Sequence, residues 1–213
     1  MVRNDHMPRI TNSQIFFRQA QQKDVPQMLA IYAPYVKETA ITFEYQVPSV
    51  TEFTSRMTAI SARYPFIVAA QGGKILGYAY LSAFHPRAAY AWAAEISIYL
   101  NRNKRRIGLG RHFYALLEKI AKQQHILNLN ACISVPRSTD PHLPLDSVRF
   151  HEHMGFKKAA HFHNCGYKFS TWYDMIWMEK QIGRHTASVE TVVPFSELKI
   201  SVLNELTSLK ISN

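Results

Sequence analysis

The sequence predicts an α/β protein of the α+β type, in which helices flank a mixed, largely antiparallel central sheet. Two β-rich runs lie on either side of Gly72-Gly73, a dipeptide that favours a tight antiparallel hairpin. A third long strand is predicted at residues 90–100. Segments with apolar residues at helical spacing alternate with further strand candidates, so the predicted element order is β-α-α-β-β-β-α-β-α-β-β.

The first elements are defined by their capping residues. Residues 15–20 (IFFRQA) are predicted to form a strand. Asp24 is the expected N-cap of the first helix, with Pro26 in its first turn. Ser49 is the expected N-cap of the second helix, and Glu52, three residues later, completes a capping box.

Local sequence patterns also predict the later elements. A helix is predicted at residues 108–124, a strand at 126–135, and strands at 158–168 and 172–180. A short helix from Ser147 to Met154 ends at Gly155, which can adopt the left-handed conformation that follows many helices. In residues 182–213 the spacing of Leu198, Val202, Leu206 and Leu209 is that of one helix face, so a partly helical tail is one expectation. The alternatives for this segment are an interaction surface or loose order.

Composition excludes several classes of protein. The 213 residues are 47% hydrophobic and 19% charged, a globular balance that excludes disorder as the default. No run of 18 apolar residues is present, so no membrane span is predicted. The N-terminus lacks the apolar region of a secretory signal. Two cysteines are too few for a disulfide framework, so we expect a cytoplasmic protein.

The net charge of +10 raises the question of nucleic-acid binding. The charge excess lies entirely in residues 1–181, because the basic and acidic residues of 182–213 balance. Half of the ten residues from Arg102 to Arg111 are basic. One focused cluster beside glycines favours a phosphate-bearing small ligand as readily as a polynucleotide.

The segment Arg105-Arg106-Ile107-Gly108-Leu109-Gly110 follows a predicted strand and begins a predicted helix. Amide N–H groups at such a helix start bind phosphate, and arginines add charge-assisted hydrogen bonds. The alternative is a basic turn with glycines for tight packing, and the spacing alone leaves both open. No Gly-Lys-Ser/Thr follows, so it is not a Walker loop.

This R-x-x-G-x-G segment, with Gly155-Phe156 after a later helix, resembles motifs A and B of the GNAT acyl-CoA N-acetyltransferases. The blocks IYAPYVKETAITFEY, ILGYAYLSAFHPRAAYAWAAEISIYL, SVRFHEHMGF and GYKFSTWYDMIWM are similar to the phosphinothricin and methionine sulfone (sulfoximine) branch. The resemblance covers residues 15–181. It divides the chain into an N-terminal extension (1–14), a GNAT domain (15–181) and a C-terminal tail (182–213).

The resemblance implies a GNAT fold with a sheet that splays between its fourth and fifth strands, and acetyl-CoA as co-substrate. It implies that the acyl thioester meets the backbone of Ile98, Tyr99 and Leu100. It implies further that the pyrophosphate is held by Arg105, Arg106, Ile107, Gly108, Leu109, Gly110 and Arg111, with Ser147 also near the cofactor. One departure stands out. The family's short Asn-x-x-Ser link is here the longer stretch 136–147, with Pro144 at the asparagine position.

Glu95 is the predicted general base. A carboxylate within the apolar strand YAWAAEISIYL is costly unless it is partnered or functional. Composition alone favours an edge position or a salt bridge. However, an ammonium substrate has to lose a proton before it attacks a thioester, and the family places its base at this position.

The remaining site residues come from the resemblance. His151 is assigned to the site as the acid or the stabiliser of the leaving thiolate. The substrate contacts are assigned to Phe43, His85, Arg87, Tyr90, Glu95, Ser97 and Lys168. Arg87 is the foremost of them, because a guanidinium can hold a carboxylate or phosphinate with two hydrogen bonds.

A metal site is not predicted. His161 and His163 share one face of a strand but have no Cys or carboxylate set close to them in the sequence. Cys132 lies in an apolar strand and is interpreted as a core residue rather than a nucleophile, since GNAT enzymes transfer the acyl group directly.

The sequence therefore predicts an N-acetyltransferase that acts on the α-amino group of a small amino-acid analogue. The leading substrates are methionine sulfone, methionine sulfoximine and phosphinothricin, and the family implies a homodimer. One alternative is a GNAT enzyme for another amine, namely a polyamine, an aminoglycoside or a protein N-terminus. The other is a non-catalytic CoA- or nucleic-acid-binding protein.

Overall fold

The computed structural model describes residues 14–104, 107–144, 146–198 and the backbone of 210–211. The helices in these ranges are α1 (Val25–Glu38), α2 (Val50–Ser61), α3 (Leu109–Gln123) and α4 (Asp146–His153). The strands are β1 (Ile15–Gln19), β2 (Phe66–Gln71), β3 (Lys74–Ala83), β4 (Ala93–Leu100), β5 (Asn128–Val135), β6 (Lys157–Lys168), β7 (Thr171–Gln181) and β8 (Lys210–Ile211). The predicted order is confirmed, with β8 added.

Most of the predicted helix boundaries have the expected local cause. The hydroxyl of Ser49 accepts a hydrogen bond from the Glu52 amide at 3.1 Å and starts α2. The second half of the capping box is absent, since the Glu52 carboxylate pairs with Arg56. Gly155 has a φ of +85° and ends α4 as predicted.

Asp24 precedes α1 as predicted, but its side chain does not cap this helix. Its carboxylate accepts two hydrogen bonds from Arg18 on β1, at 2.6 and 2.7 Å, and one from the Gln21 amide. This arrangement closes a single 3-10 turn between β1 and α1. The ion pair with Arg18, six residues earlier, takes the place of the side-chain cap.

The eight strands form one sheet in the order β6-β7-β5-β4-β3-β2-β1-β8. All neighbouring pairs are antiparallel except β4 and β5, which are parallel. The Gly72-Gly73 hairpin joins β2 to β3, as predicted, and both glycines have positive φ. Residues 88–90 form a 3-10 turn, so β4 begins three residues later than the sequence indicated.

Apolar residues on the two faces of the sheet form two cores. One face packs on α3 through residues such as Phe17, Ile96 and Phe113. The other face packs on α1 and α2 through residues such as Met28 and Tyr78. Side chains alternate between faces along a strand, so this division tells which β4 residues face which helices.

The described part of the tail, residues 182–198, packs on the domain. Phe195 is buried in the α3-side core, and its amide donates to the Arg63 carbonyl at 2.9 Å. The Gln124 side chain donates to the carbonyls of Arg63 and Val193. Of the predicted helix face only Leu198 lies within the described residues, just after a 3-10 turn. Within the described ranges, no helix combines the length and apolarity that crossing a membrane requires.

Candidate active site

The opening between β4 and β5 is the first feature of the site. Their parallel pairing covers only the first three residues of β4. On this side the carbonyl of Ala94 accepts a hydrogen bond from Asn130 Nδ2 at 3.4 Å. Backbone groups alternate in direction along a strand, so those of Ile98 and Leu100 also point towards β5. The sheet thus splays beside these two residues, as predicted.

Tyr35 of α1 reaches the same opening, which the sequence did not reveal. Its hydroxyl donates to the Leu100 carbonyl at 2.7 Å and lies 3.4 Å from the Leu100 amide. Its ring packs edge-on against Tyr99, with ring centroids 5.3 Å apart. The backbone of Leu100 is therefore already engaged, which leaves Ile98 as the β4 residue best placed to receive an acyl group.

The turn before α3 is built to receive an anion. Gly108 begins the helix with a φ of +76°, a conformation that side chains adopt only at a cost. Leu109 is buried and anchors the first turn. The first amide N–H groups of the helix, up to Arg111, have no partner within it and can bind phosphate. Ile107 and Arg111 are exposed beside them.

Two of the predicted phosphate ligands, Arg105 and Arg106, lie outside the described residues. Gly110 serves packing, since a Cβ there would lie 3.1 Å from the ring of Phe150 on α4. A Cβ on Gly108 would meet nothing closer than 3.5 Å. Of the two glycines, Gly108 is required by its backbone angle and Gly110 by the close approach of α4.

A cavity of about 910 Å³ lies beside the same turn, on the α1 side. Lys74, Arg102 and Lys104 line it together with Glu38, which pairs with Arg102. None of the predicted substrate residues lines this cavity. Its basic walls extend the positive surface next to the start of α3.

Glu95 is the third residue of β4 and the last one paired with β5, and it lies on the face opposite to Ala94 and Ile96. Burial raises the pKa of its carboxyl group above the ordinary value. The carboxylate has no hydrogen bond or salt bridge to any residue in the described ranges. A half-buried carboxylate without a partner is costly for stability. The structure therefore excludes the salt-bridge alternative within these ranges and leaves the carboxylate free to accept a proton.

Polar and aromatic groups surround Glu95. Ser97 lies two residues along the same face, opposite Tyr80 in the register between β3 and β4. Burial raises the pKa of the Cys132 thiol on β5 to about 12, and the negative charge of Glu95 adds to this increase. Such a thiol is almost entirely protonated at neutral pH, which agrees with the expectation that Cys132 is not a nucleophile.

An aromatic group borders this region at the start of β4. The ring of Phe84 packs edge-on against Trp177 of β7, with centroids 5.3 Å apart, and also contacts Tyr90. His85 packs on Tyr90 at 4.9 Å. Arg87, between them in sequence, is exposed. The rings of His85 and Tyr90 are thus in contact, and the Tyr90 amide donates to the Arg87 carbonyl at 3.0 Å. Their assignment to the substrate stays a prediction.

Lys168 is placed differently from the expectation. It is only 3% exposed, and its ammonium donates to the carbonyls of Thr39 and Thr42 at 2.8 and 2.7 Å. Burial lowers its pKa. Two of its three N–H donors are therefore engaged by the loop between α1 and α2, and the side chain holds this loop rather than presenting a free charge.

Phe43 lies in the same loop and is held by several contacts. Its ring lies against Gly166 of β6, where a Cβ would be only 2.2 Å from the ring. It also packs on a small buried cluster of Ala40, Leu143 and Tyr173. The position of Phe43 therefore depends on β6, β7 and the long link before α4.

The long link before α4 folds onto this loop, which the sequence did not reveal. Leu143 is buried, the only residue of the link's described part that is. Asp140 accepts a hydrogen bond from the Tyr173 hydroxyl at 3.0 Å, and the His142 carbonyl accepts one from the Ala40 amide at 3.0 Å. The ring of His142 stacks on Phe169 at 4.0 Å. The link thus forms part of the wall behind Phe43.

His151 lies on the other side of the sheet from Glu95, in the contact between α4 and α3. Its Nε2 hydrogen-bonds the Tyr114 hydroxyl at 2.6 Å, and its Nδ1 hydrogen-bonds the Ser147 carbonyl at 2.7 Å. Burial lowers the pKa of the ring. A neutral imidazole with both nitrogens bonded has no spare proton for a thiolate, so the structure does not bring His151 and Glu95 together as an acid–base pair.

A strand edge that can receive an acyl group, next to a helix start that can receive a phosphate, is the arrangement of an acyltransferase. The family model described as "Acetyltransferase (GNAT) domain" matches residues 17–177, and the chain belongs to this family. It is accordingly an enzyme that transfers an acetyl group to an amine.

Individual relatives agree with this assignment. The chain is 30% identical to the phosphinothricin N-acetyltransferase of Alcaligenes faecalis, over 78% of this chain and 81% of that protein. It is 29% identical to the L-methionine sulfoximine/L-methionine sulfone acetyltransferase of Pseudomonas aeruginosa, over 76% and 91%. The crystal structure of a phosphinothricin acetyltransferase from Sinorhizobium meliloti in complex with AcCoA has a TM-score of 0.73 and 28% identity, and the match covers 85% of this chain and 98% of that one.

Proposed function

We propose that this enzyme transfers acetyl directly from acetyl-CoA to the α-amino group of a small amino-acid analogue. Methionine sulfone, methionine sulfoximine and phosphinothricin are the proposed substrates. The observation that carries the proposal is the half-buried carboxylate of Glu95 beside the opening between β4 and β5, which has no partner among the residues that the structure describes. The names of the relatives support the choice of substrates.

The proposed reaction uses the groups that border the opening. The pyrophosphate of acetyl-CoA meets the amides at the start of α3, and the thioester oxygen meets the backbone amide of Ile98. Glu95 accepts a proton from the ammonium group, directly or through a water. The neutral amine attacks the thioester carbon, so that a C–N bond forms and the C–S bond breaks. The second amine proton passes to the departing sulfur.

Arg87 is the proposed partner of the substrate's acidic group. Its guanidinium is exposed next to the aromatic group of His85 and Tyr90. A planar guanidinium holds a carboxylate or phosphinate with two parallel hydrogen bonds. Phe43 and Ser97 complete the proposed substrate site. Lys168 contributes to it by positioning the loop that carries Phe43.

For His151 we propose a positioning role. The ring joins the carbonyl of Ser147, at the start of α4, to Tyr114 of α3. It therefore fixes α4 next to the helix that receives the pyrophosphate, and Ser147 is held at the edge of the proposed CoA site. A substitution to glutamine should raise the KM for acetyl-CoA more than it lowers kcat.

A homodimer is also proposed. Three large aromatic side chains are about half exposed on the β6–β7 hairpin, namely Phe162, Tyr167 and Trp172. Exposed apolar groups clustered on one hairpin are typical of association surfaces. A cytoplasmic location is proposed as well, which the two free cysteines support.

The experiment that tests the function measures thiol release from acetyl-CoA with a panel of amines. Methionine sulfone, methionine sulfoximine and phosphinothricin should give rates well above the blank without amine. Spermidine and an aminoglycoside should not, because Arg87 repels polycations. If the amino-acid analogues match the blank while a polyamine is acetylated, the proposed substrate class is wrong although the acetyltransferase assignment stands.

A further inference from the structure

Three potential metal ligands meet on the β6–β7 hairpin. One carboxylate oxygen of Asp174, Oδ2, lies 2.9 Å from His161 Nε2 and 3.1 Å from His163 Nδ1. The three ligand atoms all lie within 4.8 Å of one another. The sequence argued against a metal at the two histidines because no carboxylate was near them. The fold supplies that carboxylate from the neighbouring strand.

The cluster is held in place by the backbone around it. The register between β6 and β7 shifts between Phe162 and Gly166, so β6 bulges at this point. Asn164 occupies the bulge with a φ of +49°, a left-handed angle that asparagine adopts more readily than most residues with a side chain. Its amide donates to the other Asp174 oxygen, Oδ1, at 2.9 Å. The bulge therefore wraps around Asp174 and directs Oδ2 at the two histidines.

The three groups differ in accessibility in a way that suits an ion arriving from solvent. The Asp174 side chain is 8% exposed, whereas those of His161 and His163 are 30% and 72% exposed. The amide of Asn164 and the two histidine rings hydrogen-bond the carboxylate of Asp174 and hold it in place. A fixed carboxylate thus lies beneath two accessible imidazoles.

We propose that His161, His163 and Asp174 bind one divalent transition-metal ion of the zinc class. Imidazole nitrogens and a carboxylate oxygen are ligands that zinc accepts, at about 2.0–2.2 Å. Tetrahedral ligands at these distances lie about 3.3–3.6 Å from one another. The observed separations from Asp174, 2.9 and 3.1 Å, are about 0.2–0.7 Å shorter than these values. Small rotations of the two rings would complete the site, and water would fill the fourth position.

Two neighbouring groups determine how the ion would be received. Lys158 Nζ lies 3.1 Å from His161 Nδ1. This exposed, flexible ammonium has to turn into solvent when the ring binds a cation at Nε2. Arg137 hydrogen-bonds the side chain of Asn164 at 3.2 Å and so braces the bulge from the link before α4.

The site is separate from acetyl transfer. Ile176 and Met178 of β7 belong to the α3-side core, so alternation places Asp174 on that face. Glu95 points to the opposite face. A bound ion would therefore join β6 to β7 without entering the reaction, and it would stabilise the hairpin that carries Lys168.

The experiment titrates the full-length, tag-free protein, freed of metal by a chelator, with Zn²⁺ in a calorimeter and with Co²⁺ in a visible spectrometer. We expect one equivalent of zinc, cobalt d–d absorption typical of low coordination number, and a rise in Tm of about 5–10 °C at a hundredfold excess over Kd. His163→Gln and His161→Gln should each weaken binding at least tenfold. Acetyl transfer should be the same with and without zinc.

His153→Gln is the matched control. Like His163, His153 is an exposed histidine, but its Nδ1 bonds the backbone carbonyl of Arg149 instead of the Asp174 carboxylate. It should bind zinc like the original protein. The proposal is overturned if zinc binds only at millimolar concentration, or if binding survives in both His161→Gln and His163→Gln. His163 is so exposed that its substitution should leave the fold intact, which circular dichroism will verify.

Discussion

Replacing Leu143 with alanine tests whether the long link before α4 builds the substrate wall. Leu143 is 3% exposed and packs on Ala40 and Tyr173, with Phe43 against the same cluster. A buried leucine-to-alanine change costs about 2–5 kcal/mol, and the lower end applies where the surroundings can collapse. This cluster has only three buried members, so we expect a loss of about 2–3 kcal/mol.

For a domain of this size, such a loss lowers Tm by about 4–12 °C. Because the cluster positions Phe43, the KM for the amine should rise several-fold in the same variant. The KM for acetyl-CoA should stay the same, since the start of α3 does not touch the cluster. Thermal unfolding and steady-state kinetics with both substrates measure these effects.

Leu116→Ala is the matched control. Leu116 is fully buried in the α3-side core, which is a different cluster from the one against which Phe43 packs. Its substitution should lower Tm by a similar or larger amount without raising the KM for the amine. If both variants raise that KM equally, or if Leu143→Ala changes neither Tm nor KM, the link does not shape the substrate site.

Three further substitutions separate the parts of the site. Arg87→Gln should raise the KM for the amino-acid analogue at least tenfold and leave Tm unchanged, because the guanidinium is exposed; an unchanged KM would remove Arg87 from the site. Lys168→Met should lower Tm and raise the KM for the amine, because the substitution leaves two loop carbonyls without a hydrogen bond. If kcat/KM changes while Tm does not, Lys168 contacts the substrate instead of holding the loop. Gly108→Ala should raise the KM for acetyl-CoA and cost about 1–2 kcal/mol, because φ is +76° there; an unaltered KM for acetyl-CoA would contradict the anion site at this turn.

Local sequence signals predicted the elements well where a local interaction causes them. The turn at Gly72-Gly73, the cap at Ser49 and the helix end at Gly155 each depend on one or two residues and their neighbours. The expected cap at Asp24 failed because Arg18, six residues away on β1, offered its carboxylate a stronger partner.

The sequence predicted only part of the site, because several of its residues are positioned by partners that are distant in the sequence. Glu95 is visible in the sequence because a carboxylate interrupts an apolar strand. The engagement of Leu100 by Tyr35, and of Lys168 by two carbonyls, joins residues more than sixty positions apart. The contact of Asp174 with two histidines depends on a bulge in β6, and the hydrophobic periodicity of the sequence does not predict a bulge.

The pH profile of kcat/KM for the amine, measured with the original enzyme and with Glu95→Gln, tests the role of Glu95 most directly. Glu95 accepts a proton only when ionised, and burial raises its pKa, so kcat/KM should rise with pH through that raised pKa. In Glu95→Gln this acidic limb should vanish. The rate at neutral pH should fall about 10²–10⁴-fold, or about 2.7–5.4 kcal/mol in the barrier. Tm should be equal or higher, because a costly charge is gone. A Gln variant with the original kcat/KM and the original acidic limb would contradict the assignment of Glu95 as the base.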